Sequence, residues 1–185
     1  MKFDPLILLL VPVFVLSVVV HECAHGFAAL RCGDPTARDA GRLTLNPFRH
    51  VDLVGSILLP AVLVLTHAPF VFGWAKPVPV NRALLRDPVN DGVKVALAGP
   101  ASNLLLALAF AALARLAPAD GFFAPLQLMG IDGVLLNCAL ALFNLLPIPP
   151  LDGSWVLFRF LPMKHIIAIS QFRLLGLAAL ALLMS

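Results

Sequence analysis

The residues best suited to chemistry stand together at positions 21–25, His-Glu-Cys-Ala-His, inside a run that is otherwise valine, leucine and alanine. On a helix, residues i and i+4 share a face, so His21 and His25 are placed to grip one metal ion together. Glu22 then projects beside that ion, where it can work on water. The spacing is the H-E-x-x-H pattern of zinc hydrolases, which arises by chance in roughly one chain of this length in a few hundred. Its apolar setting adds weight. An ionisable group costs about 2.5–3.5 kcal/mol at the centre of a bilayer on insertion scales, so three within five residues require a function. The plainer alternative, two neutral histidines and a protonated glutamate bridging helices, leaves the spacing unexplained. Cys23 points about 100° away from each neighbour on a helix, and reads as a small residue facing lipid or another helix.

The elements that must hold this motif are apolar. The chain has 185 residues, 61% hydrophobic and 12% charged, with mean hydropathy +0.97. A soluble domain carries about 25% charged residues. The class is therefore an all-α integral membrane protein, since helices satisfy their own backbone in lipid. We expect one domain over residues 1–185, a bundle of about four to five transmembrane helices, with no room for an appended soluble module. The formal charge of +3 needs no nucleic-acid partner, because basic residues flanking spans serve orientation in the bilayer and no basic run carries interleaved aromatics. Three cysteines within or beside apolar segments (Cys23, Cys32, Cys138) argue against a disulfide framework.

Helices are predicted at about residues 5–31, 53–67, 92–117, 131–148 and 166–184. The first begins like a signal peptide but runs without a cleavage-like site into the motif, so it reads as a retained helix. From Pro5 to His21 it covers roughly 24 Å of a hydrocarbon core about 30 Å thick, which puts the metal late in the span. A polar connection follows at 31–52, with a turn at Asn46-Pro47. The second run is broken by Pro60 and by Thr66-His67-Ala68-Pro69; residues 69–80, rich in β-formers and proline, read as extended chain.

A catalytic zinc takes three protein ligands and keeps one position open. For the third ligand the sequence offers Asp152, His50, His67, Asp52, Asp132 and His165. Asp152 is best placed, just past an apolar helix in a proline-broken segment whose backbone must be buried in protein or face a cavity. HECAH, then GPASN at 99–103, then NLLPIPPLDG at 144–153 resembles the site-2 protease family of intramembrane zinc metalloproteases, over most of residues 15–155. The resemblance is to the compact form without PDZ or CBS modules. It implies one zinc per chain held by His21, His25 and Asp152, with Glu22 as general base and acid. It also implies Asn103 and Asn144 as polar groups near a cleft, where two roles are open to both: hydrogen bonding to unwound substrate backbone, or bonding one helix to another. The expected substrates are transmembrane helices of other proteins, cut within or near the bilayer. A homo-oligomer is compatible with this.

Pairing Asp152 with HECAH makes a demand on topology. Both must lie at one depth, so the first and fourth helices must exit on the same side. That holds only if residues 53–80 make no net crossing: a helix enters, the THAP segment breaks it, and the extended chain returns. The charges agree. Under simple alternation the 13 Lys and Arg split eight to five; with a re-entrant segment they split eleven to two, leaving only Lys2 and Arg115 opposite. The positive-inside rule then faces the metal toward the cytoplasm of a multi-pass cell-membrane protein. An unwound substrate helix is expected to add to a strand edge near 70–80. His67, Trp74 and His50 read as structural or loop residues. Two other readings stay open: a metal transporter built on the same four residues, and an inactive relative that binds helices without cutting them.

Overall fold

A computed structural model describes residues 7–66 and 73–162. The expected helix at 166–184, together with His67 and His165, lies outside them. Among the described residues every regular element is helical. In chain order these are α1 (Ile7–Arg31), α2 (Thr36–Asp39), a π-helix (Leu53–Leu58) that runs directly into α3 (Leu59–Leu65), α4 (Asn90–Leu116), α5 (Ala124–Asn144) and α6 (Gly153–Phe158). Single 3-10 turns at Pro47–Arg49 and Arg82–Leu84 connect them. Three of the described helices, α1, α4 and α5, are long and apolar enough to cross a bilayer, as expected for an all-α, multi-pass membrane protein.

These three pack on one another in antiparallel succession. Along α1 and α4, residue 25 meets 95, residue 21 meets 103, and 17 meets 103. Along α4 and α5, Asn103 meets Asn137, while Gly130 and Gly133 bring the α5 backbone against Ala114 and Phe110. α1 and α5 therefore run parallel and leave the bundle on the same side. The segment between α1 and α4 makes this possible. Asp52 caps the π-helix, accepting from Val54 N–H and Gly55 N–H at 3.1 and 2.7 Å. α3 leads away, and by residue 74 the chain is back. Trp74 N–H donates to Gly55 O at 3.1 Å, and Ser56 Oγ donates to Trp74 O at 2.9 Å. Residues 55 and 74 stand side by side, so the excursion between them makes no net crossing.

The end of α1 follows from its sequence. Asp34 N–H bonds Ala29 O and Gly33 N–H bonds Leu30 O, with Gly33 at φ +108°, a left-handed position that glycine fills without penalty. Asp34, completely enclosed, then accepts from Thr36 N–H at 3.0 Å and from Asn81 N–H at 2.6 Å. This ties the returning segment to the exit end of α1.

Two helix bounds differ from expectation. α5 starts at Ala124 and not at 131, because Pro125 in the first turn opens a helix where its missing N–H costs nothing. It ends at Asn144 and not 148: Pro147 has no N–H to give and disfavours helix in the residue before it. The second helix is also shorter than expected, and its first six residues are wound as π-helix.

Candidate metal and catalytic centre

α1 presents His21, Glu22 and His25 where α4 crosses it, and the turn after α5 brings Asp152 to the same place. His21 Nε2 and His25 Nε2 stand 3.0 Å apart, and Asp152 Oδ2 lies 3.3 Å from each. Ligand atoms held about 2.0–2.1 Å from one tetrahedral zinc stand about 3.3 Å from one another. Asp152 Oδ2 is buried with no hydrogen-bond partner of its own. Two imidazole nitrogens and an orphaned carboxylate oxygen at this spacing form a donor set that suits zinc. Among the described residues this is the one cluster of three such side chains able to share an ion.

The GPASN segment of α4 explains how the imidazoles are held. Gly99 lies flush against both rings, and a Cβ there would collide with His25 Nε2 and His21 Cε1. Four residues on, Asn103 Oδ1 meets His21 Nδ1 at 2.6 Å. One turn before Gly99, Val95 O meets His25 Nδ1 at 2.7 Å. Each of these oxygens only accepts, so each histidine carries its proton on Nδ1 and turns a lone pair at Nε2 toward the shared space. Asp152 owes its position to the Asp-Gly step. A Cβ at residue 153 would strike the carbonyls of Leu145 and Leu146, so only glycine lets α6 start so close beneath the end of α5.

The three candidate ligands line a cleft of about 340 Å³ together with Glu22, Asn144, Val78, Val80, Pro150 and Trp155. Polar side chains and residues of the returning segment, Pro77, Val78 and Val80, both line it. Glu22 Oε2 accepts from Val78 N–H at 2.7 Å. Asn144 is half-buried at the cleft, with Nδ2 donating to Leu140 O at 2.9 Å. Arg82 stacks over the Trp155 ring, its guanidinium carbon 3.1 Å from the centroid, and steadies that wall.

Several sequence expectations change here. Asn103 does not reach the cleft: it is 0% exposed, and all its polar atoms are engaged within the bundle. Cys23 faces neither lipid nor a helix, but donates to Thr44 O at 3.1 Å beneath the 42–50 connection, which folds back over α1. His50 is buried there too, with Nε2 on Thr44 O at 2.9 Å, and so is no ligand of this cluster. Asp52 is spent on its helix cap. Asp132 lies next to Gly133, which packs on Phe110, more than two turns before the cleft end of α5. Residues 73–80 carry no helix, and few of their N–H groups are left for an incoming strand. The N–H groups of Trp74, Lys76 and Val78 donate to Gly55 O, His50 O and Glu22, and the alternate positions 77 and 79 are prolines. The roles of the Val95 carbonyl, the Val78 N–H and Asn137 were not read from the sequence. Two of them are backbone groups, which no residue type announces; only Asn137, a polar residue in an apolar run, left a signal.

The comparisons with known proteins follow the same line. The family model for peptidase family M50 matches residues 115–184. The Bacillus subtilis protein named "Putative zinc metalloprotease YwhC" is 43% identical over 159 residues, 83% of this chain and 69% of that protein. "Putative zinc metalloprotease Rip2" of Mycolicibacterium smegmatis is 31% identical over 150 residues, 79% of this chain and 54% of its own length. "Putative zinc metalloprotease MJ0611" of Methanocaldococcus jannaschii is 46% identical over 93 residues, 47% of this chain and 45% of that protein. The chain thus spans about two thirds of the first relative and about half of the other two. No solved structure matches it. With HECAH and the LDG turn meeting in one cleft, and a relative aligned over most of both chains, the chain belongs to peptidase family M50, as its resemblance to the site-2 proteases implied.

Proposed function

We propose that the protein is an intramembrane zinc endopeptidase that hydrolyses peptide bonds within or near transmembrane helices of other membrane proteins. One observation carries this reading: His21 and His25, on an apolar helix of membrane length, meet Asp152 from the turn after another, with Glu22 in the same cleft. Groups so costly to place in lipid are explained by work done at that depth. His21 Nε2, His25 Nε2 and Asp152 Oδ2 would hold the zinc, one per chain. Bound zinc supplies Lewis acidity, which makes water a nucleophile at neutral pH.

The remaining steps belong to the protein. Glu22 takes a proton from the attacking water and returns it to the leaving amine nitrogen. Val78 N–H, bonded to Oε2, steadies the carboxylate and leaves Oε1 for the proton. A helix hides its peptide bonds, so the substrate must unwind locally before it fits the cleft. Asn144 is the side chain placed to hydrogen-bond the exposed backbone there, through the oxygen that its bond to Leu140 O leaves free. The positive-inside rule supports a cell-membrane protein whose cleft opens toward the cytoplasm, from which water arrives.

The test uses purified protein in lipid nanodiscs with a single-span substrate. Zinc-dependent cleavage inside the span is expected for wild type, and loss of cleavage with zinc retained is expected for Glu22→Gln. Cleavage that persists in Glu22→Gln would refute the role of Glu22. A wild-type protein that cuts only soluble, unstructured peptides would refute the intramembrane reading.

A further inference from the structure

Ser17, Asn103 and Asn137 are each fully enclosed, one on each of α1, α4 and α5, and none of them lines the cleft. An amide in such a place can be turned either way unless a neighbour distinguishes its two ends. Here one does. Gly133 O only accepts, and Asn137 Nδ2 donates to it at 2.9 Å. The second hydrogen on that nitrogen goes to Ser17 Oγ at 2.8 Å, whose own proton is committed to Val13 O at 2.7 Å. Asn137 Oδ1 is thereby turned toward α4, where it accepts from Asn103 Nδ2 at 2.8 Å. The other hydrogen of that amide is directed to Ser17 O at 3.4 Å. Only Asn103 Oδ1 is left to face His21 Nδ1.

Every donor in this chain of bonds has an acceptor. Reversing either amide alone would set two oxygens face to face, Asn137 Oδ1 against Gly133 O or Asn103 Oδ1 against Asn137 Oδ1. His25 needs no such device, because a backbone carbonyl fixes it directly.

We propose that Asn137 is a positioning residue for the metal centre: anchored on the Gly133 carbonyl, it fixes the direction of the Asn103 amide and so presents His21 with an unprotonated Nε2. The proposal rests on the zinc reading of His21, His25 and Asp152. It concerns a residue two hydrogen bonds from the nearest ligand. Loss of a ligand's direct partner typically weakens metal affinity about 10- to 100-fold, and turning the Asn103 amide would deprive His21 of its acceptor.

The experiment is zinc affinity of the full chain in detergent, by chelator competition, with thermal unfolding of each metal-free form measured alongside. Wild type should bind one zinc and His25→Ala should lose it; if either fails, the zinc reading falls and this proposal with it. Given that bracket, Asn137→Leu frees the Asn103 amide to turn, and about 10- to 100-fold weaker zinc binding is expected. Ser17→Ala removes a side branch but leaves the Gly133 anchor, so it should keep affinity within about threefold even where it lowers the unfolding temperature. Wild-type affinity in Asn137→Leu overturns the proposal while leaving the zinc site intact. An equal loss in Ser17→Ala also overturns it, since general loosening of the core then explains both. Should Asn137→Leu not fold, Asn137→Ala, which only removes atoms, is read in the same way. Zinc-loaded wild type offers a check free of variants. Nitrogen-15 histidine spectra should show His21 protonated at Nδ1, and protonation at Nε2 instead overturns the proposal.

Discussion

Glu22 and Gly99 sit on facing helices and make opposite kinds of demand on the centre. On the proposed mechanism Glu22 acts through its carboxylate, so Glu22→Gln should cut turnover about 10²- to 10⁴-fold while bound zinc stays unchanged, measured by metal analysis on the assayed sample. Gly99 is required for what it lacks. Gly99→Ala drives a methyl into both imidazoles, so zinc affinity should fall at least about tenfold and activity with it. His21, Glu22 and His25 were legible in the sequence as costly groups at a set spacing in an apolar stretch, and Asp152 through its proline-broken segment and the motif that ends in LDG. Asn103 was visible as a residue but not as a partner. Its contact with His21 spans 82 positions and depends on the register of α4 against α1. The Val95 carbonyl, which orients His25, was beyond any reading of side chains.

At the scale of elements, the 73–86 segment is strapped along α1 by a contact at Glu22 and two just past the helix's end. Val78 meets Glu22, Asn81 meets Asp34, and Arg86 N–H donates to Cys32 O at 3.0 Å. Asp34 is the chief of these anchors. Burial alone would raise its pKa, but the bonds from Thr36 and Asn81 outweigh burial and hold it below the usual aspartate value. A folded pKa below the unfolded one means the stabilisation is present above the unfolded value, about 3.9, and is lost as pH falls through the folded value. Asp34→Ala should cost about 2–4 kcal/mol at neutral pH, with the gap to wild type narrowing in thermal melts as pH falls through the folded value. The sequence reads residues 69–80 as extended and proline-rich, and the described part, 73–80, carries no helix. It did not show that alternate N–H groups were already taken, because their acceptors come from residues 22, 50 and 55. Helix ends were the least legible elements: α5 begins at Ala124, seven residues before the expected 131, with Pro125 in its first turn.

For the whole molecule, the demand that α1 and α5 leave on one side was made by two motifs more than a hundred residues apart, and the Gly55–Trp74 contact meets it. Single cysteines placed at Arg49, Lys76 and Arg82 should all label from one face of the membrane, and one at Arg115 from the other. Labelling of 76 and 82 from the Arg115 side would overturn the topology. Zinc would also act as a cross-link, since its ligands come from α1 and from the turn after α5. Chelation should lower the unfolding temperature by the equivalent of about 2.7 kcal/mol for protein held at 100 times its dissociation constant in free metal. Interhelical hydrogen bonds in membranes average only about 0.6 kcal/mol, so the buried asparagines add far less to cohesion than to direction.

The separation of partners along the chain has a consequence for the protein's birth. Ser17 waits for Asn137, 120 residues later, and His21 waits for Asn103, 82 residues later. At about 5–20 residues per second of synthesis, α1 spends roughly 4–24 seconds at the membrane before those partners exist. Through that interval its serine, histidines and glutamate must be sheltered by water, by the insertion machinery or by delayed entry into lipid. A nascent chain stalled before residue 90 should therefore leave α1 extractable by alkali, and one stalled after α5 has emerged should not.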